Sequence, residues 1–182
     1  MEKTIKQFNE VISGCREIFI KKTKDYGTAW RILRTPSLTD QIFIKANRIR
    51  SIEDKGVQKV QEDIYDEFIA IVNYSVMALI QLELTPATGD NTHLPPEKAL
   101  ELYERFIFGA RDLMTNKNHD YGEAWRDMRV SSLTDIILMK ILRLKQIEDN
   151  QGETLISEGP EGSYNDMINY SIFALIKLNE NK

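Results

Sequence analysis

Lys45 and Arg48 stand three residues apart, and Lys140 and Arg143 repeat the pair. Residues at that spacing on a helix are neighbours on one face. Each lysine falls inside an otherwise apolar stripe: Leu38, Ile42, Lys45, Ile49, Ile52 and its copy Leu133, Ile137, Lys140, Leu144, Ile147. An unpaired ammonium is costly to bury, so each lysine must snorkel to water or meet a carboxylate or phosphate. Arg48 and Arg143 beside them could grip a phosphate bidentately. The chemistry implied is neutralisation of charge on phosphoryl oxygens.

Complementary groups follow along the chain. Glu62, Asp66 and Asn73 form a polar stripe beside the apolar one of Ile64, Phe68, Ile71, Ser75, Ala78 and Leu82. The copy offers Asp166 and Asn169, with Glu158 just before. Acids four apart share a helix face, which is how helical bundles hold divalent metal. Glu62, Asp66 and Asp166 are therefore candidate ligands for magnesium, which takes one or two carboxylates plus waters and substrate phosphates. A facing pair of acidic and basic helices is equally a salt-bridge network that fixes register. Tyr26, Trp30, Tyr121 and Trp125 are candidate ligand-facing aromatics, although the bulk of the tryptophans favours the core. Asn73 and Asn169 are poor helix formers at mid-helix positions and imply a hydrogen-bonding role, either to substrate or within the fold.

The elements that must position these groups come as a duplication. Between 25–54 and 120–149, 17 of 30 positions are identical at an offset of 95. After one extra residue, Asn73-Tyr74-Ser75 recurs as Asn169-Tyr170-Ser171. Each copy reads as three helices. The first carries Ile5, Phe8, Ile12, Cys15 and Phe19, or Leu100, Tyr103, Ile107, Ala110 and Met114. These are single stripes at spacings of three and four. Gly27 and Gly122 are placed as left-handed caps closing those helices. Ser37-Leu38-Thr39-Asp40 and Ser132-Leu133-Thr134-Asp135 read as capping boxes opening the second. The third spans roughly 58–83 and 161–180, with Pro160 at a first helical position. The expected fold is all-α: two tandem three-helix units, 1–84 and 97–182, joined by a turn-rich linker 85–96. They should pack about a pseudo-two-fold axis as one helical bundle.

Composition narrows the partners. A formal charge of −4, with acids and bases interleaved, gives no basic footprint for duplex DNA. Two histidines and one cysteine make a zinc site or an internal disulfide implausible. No apolar run approaches the ~20 residues that span a bilayer, and the N-terminus has no apolar signal region. A cytoplasmic protein with no membrane partner is expected, and the sequence leaves homo-oligomers open.

The sequence Lys/His-Asp-Tyr-Gly-x-Ala-Trp, then Lys-x-x-Arg, then an acidic helix ending Asn-Tyr, resembles the nucleotide modification associated domain of type one, once per repeat. More distantly it is similar to all-α nucleoside triphosphate pyrophosphohydrolases of the MazG kind. That resemblance implies magnesium on helical Glu and Asp residues and cleavage between the α and β phosphates. Single domains of the related phage type carry Glu, Asp and Asp four apart. The first unit matches at Glu62 and Asp66 but has Ala70 third; the second matches at Glu158 and Asp166 but has Gly162 in the middle. Either the units complete one composite site, or both sites have decayed. The expectation is a nucleotide-handling protein, as a magnesium-dependent pyrophosphohydrolase or an accessory of base modification. Its small-molecule partner would be a nucleotide or related triphosphate. The alternative is a non-catalytic binding or interaction module whose ionic stripes are structural.

Overall fold

The computed structural model describes residues 1–56 and 63–182. Among these residues six long helices follow one another: α1 (Glu2–Tyr26), α2 (Thr35–Lys55), α3 (Ile64–Leu84), α4 (Pro96–Tyr121), α5 (Val130–Asp149) and α6 (Pro160–Glu180). Short 3₁₀ turns at Ala29–Ile32 and Ala124–Asp127 join the first two helices of each unit, and a third, Gly89–Asn91, lies in the linker. The described residues contain no strand, so the all-α, two-unit expectation holds.

The two units meet through like elements, α3 against α6 and α2 against α5. The first helix of each unit packs on the third helices of both. The result is one continuous core, running from Phe8 and Cys15 through Phe68, Ile71 and Ile107 to Ile172. Reciprocal contacts mark the pseudo-two-fold. Thr134 donates to Glu53 at 3.2 Å, and Thr39 donates to Glu148. Lys145 meets Asp40 at 3.2 Å, while Arg50, its counterpart, meets Asp135 at 3.4 Å.

Several expectations shift by a residue or a role. Thr4 and Ala99 are buried at the start of the first stripes, and Ile5 and Leu100 only partly so. The cause at Thr4 is polar: its hydroxyl is shared between Glu123 and Arg126 of the other unit. The supposed capping boxes lie inside their helices, which begin from Arg34 and Arg129 without a side-chain cap. Pro36 presets helical φ in the first turn of α2, and Asp40 and Asp135 are spent across the unit interface instead. Pro160 does open α6. By length and composition α3 could cross a membrane, contrary to the reading of its sequence, but it is mostly buried as a central helix of the bundle. An all-round apolar helix needs such a place.

The two glycine caps differ. Gly122 is left-handed as expected (φ 61°, ψ 32°), with open space where a side chain would project. Gly27 has φ 65° but ψ −148°, and an added Cβ would lie 2.4 Å from His93 Nδ1. The linker causes this difference. Thr28 donates from its backbone N to His93 Nδ1 at 3.2 Å and from its hydroxyl to the Thr92 carbonyl at 2.9 Å. Leu94 N donates to the same hydroxyl at 2.9 Å. The turn-rich linker is thus docked on the first unit rather than free of it.

Candidate functional site

The buried stripe of α2 is Leu38, Ile42, Ala46 and Ile49, so Ala46 takes the core position and Lys45 the border beside it. In α5 Ile141 plays the part of Ala46 and frees Lys140 in the same way. Each lysine therefore resolves its burial problem by meeting a carboxylate of the third helix. The partner in the first unit is Glu67. Lys45 Nζ lies 3.6 Å from its Oε2, and Arg48 donates to its Oε1 at 2.9 Å. Glu67 is only 2% exposed, and the two cations offset part of the cost of burying its side chain.

In front of this cluster a cleft of about 430 Å³ opens between α1, α2 and α3, lined by Lys22, Tyr26, Trp30, Lys45, Asp66 and Tyr74 among others. Its wall thus combines lysines, acids and aromatic side chains. That volume falls in the range of small-molecule sites. Trp30 is buried against Phe19 and belongs mainly to the core. Tyr26 is exposed at the rim.

The second unit reaches a similar layout by another route. Its carboxylate is Asp166, held at 2.8 Å by both Lys117 and Lys140. Burial pushes the Asp166 carboxyl up, but hydrogen bonds and attraction from the two lysines more than reverse this and leave it below its ordinary value. The aromatic part, with Tyr121, Trp125 and Tyr170, lines a cleft of about 430 Å³ that also contains Lys117, Lys140 and Asp166. A neighbouring cleft of about 600 Å³ runs from Lys140 and Asp166 to Arg143 and Glu158. Trp125 stacks on Phe173 with centroids 4.2 Å apart, again a core role, and Tyr121 is exposed.

The two asparagines share a structural role. Asn73 donates to the Cys15 carbonyl at 3.1 Å and Asn169 to the equivalent Ala110 carbonyl at 3.0 Å. Tyr103 from the other unit donates to Asn73 Oδ1 at 2.7 Å. Phe8 stands at the position matching Tyr103, and Asn169 Oδ1 is left buried without a hydrogen-bond partner. Both asparagines also line their clefts.

Of the candidate metal ligands, Asp66 and Asp166 lie in separate clefts, and Glu62 falls outside the described residues. Among the described residues no three His, Cys, Asp or Glu side chains come together as a metal site. Glu67 and Asp166 are already engaged by cations, so the described donors do not by themselves fit magnesium. Sequence reasoning found the lysines and Asp166 but missed Glu67, Lys22 and Lys117. An acid next to Phe68 and Ile69 in an apolar helix was the available signal for Glu67.

Residues 22–82 and 117–178 both match the family described as nucleotide modification associated domain 1, and the two matches together cover more than half of the chain. The chain belongs to that family. It carries the domain twice, as the duplication required. No curated protein and no solved structure matches the chain. Each copy of nucleotide modification associated domain 1 takes in the cationic pair, the carboxylate that meets it and the aromatic turn, but leaves out most of α1 or α4. The matched segments thus supply most of the lining of the clefts, and the first helices add Ile18, Phe19 and Met114 to it.

Proposed function

We propose that the protein binds nucleoside phosphates, with the phosphate against the lysines of a cleft and the base towards its tyrosines. The observation that carries this reading is the same construction in both units. In each, a lysine of the second helix is paired with a carboxylate of the third, and both line a cleft that is also walled by aromatic side chains. A pinned lysine has lost its side-chain freedom before a ligand arrives, which lowers the cost of ordering it on binding. The family to which the chain belongs is named for association with nucleotide modification, and the reading agrees with that name.

The test is titration of the full chain with nucleoside mono-, di- and triphosphates, with and without magnesium, followed by calorimetry and by phosphate and pyrophosphate release. Nucleotide binding that weakens about tenfold or more in Lys45→Met is the expected result, since a charge-assisted contact is removed. Pyrophosphate release with magnesium, lost in Asp66→Asn, would extend the reading to hydrolysis. Absence of binding by every nucleotide overturns it and leaves the ion pairs as braces between helices.

A further inference from the structure

The second unit contains its own anion. The Asp166 carboxylate sits between Lys117 and Lys140, 2.8 Å from each ammonium. Superposing the repeats by sequence maps Lys117 onto Lys22, Lys140 onto Lys45 and Asp166 onto Ala70. In the first unit both lysines and Ala70 line one cleft, and among the described residues no carboxylate is ion-paired with both lysines, although Asp66, one turn before Ala70, lines the same cleft. Lys22 has no ion-pair partner among the described residues, and Lys45 leans back to Glu67 at the longer distance of 3.6 Å. A methyl group stands where the other unit has a two-oxygen anion.

We propose that the space over Ala70, between Lys22 and Lys45, is the phosphate subsite of the first cleft, and that Asp166 fills the equivalent subsite of the second from within. This rests on the nucleotide-binding reading and sharpens it: one nucleotide per chain, held in the first unit, with one phosphoryl group between the two lysines. A carboxylate and a phosphoryl group present oxygens to ammonium donors in similar ways, so the salt-bridged Asp166 is a template for how the ligand is held. The second cleft is self-occupied, because any incoming anion would have to displace a carboxylate already satisfied by two cations.

Calorimetry on the full chain distinguishes the possibilities, with inorganic pyrophosphate and nucleoside triphosphates as probes. The expected stoichiometry is one. Ala70→Asp should weaken binding about tenfold or more by supplying the missing internal anion. Lys22→Ala, an exposed substitution that leaves the core untouched, should weaken it too and decides the matter if Ala70→Asp does not fold. Asp166→Ala should raise the stoichiometry towards two. Pyrophosphate binding that is sensitive to Ala70→Asp, without any nucleotide binding, would uphold the subsite and overturn the nucleotide reading. Nucleotide binding unchanged in both Ala70→Asp and Lys22→Ala would overturn the subsite and leave the nucleotide reading standing. Failure of both probes to bind overturns both.

Discussion

The two halves of this chain solve one problem differently. Both place a lysine at the border of a buried stripe and bring a carboxylate of the third helix to meet it. In the first half the carboxylate is Glu67, buried and shared by Lys45 and Arg48. In the second it is Asp166, at the position of Ala70, shared by Lys140 and Lys117. The two positions are three residues apart on the helix, a little under one turn, and so still share a face. Moving the acid leaves the lysine paired but changes what else it holds: Glu67 draws the cations inward, and Asp166 draws them together over the cleft. The lesson is that pairing alone was enough to keep the lysine, and that the register of the acid decides which second cation joins it: Arg48 on α2 in the first half, Lys117 on α4 in the second.

Other contacts were traded between the halves as well. Phe19 on α1 packs near Trp30 in the first, whereas Phe173 on α6 stacks on Trp125 in the second; the counterparts are Met114 and Met77. Each core keeps one phenylalanine and one methionine but exchanges their helices, which conserves volume.

The largest effect expected from this comparison is on stability. Glu67→Ala removes the buried carboxylate that Arg48 and Lys45 share and should destabilise by about 2 kcal/mol, the worth of hydrogen bonds to a charged group. Asp166→Ala removes a more exposed carboxylate, one of whose lysines, Lys117, is open to water, and should cost about 1 kcal/mol. Urea unfolding of both variants measures the difference, and equal losses would mean that the two acids are equivalent after all.

A smaller effect belongs to the asparagines. Tyr103→Phe removes the donor to Asn73 and should cost about 1–2 kcal/mol. Phe8→Tyr offers the same donor to the orphaned Asn169 Oδ1 and should gain about 0.5–1 kcal/mol if the matching site accepts the hydroxyl. A loss in Phe8→Tyr would show that the two sites differ in shape as well as in chemistry.

The smallest effect is a dependence on pH at the unit interface. Burial raises the carboxyl of Glu148, and hydrogen bonds from Thr39 and Tyr164 only partly offset it. An acid raised in the folded state contributes stability that is present below its unfolded value and lost as pH rises through the folded one. Glu148→Gln, which keeps an acceptor for Thr39, should therefore be more stable than the parent at pH 7. Its advantage should vanish as pH falls through the carboxylate range. Glu53 is raised for the same reason but lacks the tyrosine, since Phe68 stands where Tyr164 does. Melting curves at several pH values for Glu148→Gln and Glu53→Gln would compare the two sides directly, and an advantage that grows on acidification contradicts the sign.

The sequence by itself determined the duplication, the three helices of each unit and the lysine that had to find a carboxylate, because these follow from local periodicity and the cost of burying charge. The turn at Gly122 and the opening of α6 at Pro160 were legible for the same local reason. Only the tertiary structure decided which acid met which lysine, that Asp40 and Asp135 bridge the units instead of capping helices, and that the linker docks on Thr28. It also decided that Asn73 finds its partner in Tyr103 while Asn169 lacks one. Each of these depends on how far one helix is turned and shifted against another, and side-chain period along one chain carries no information about that offset.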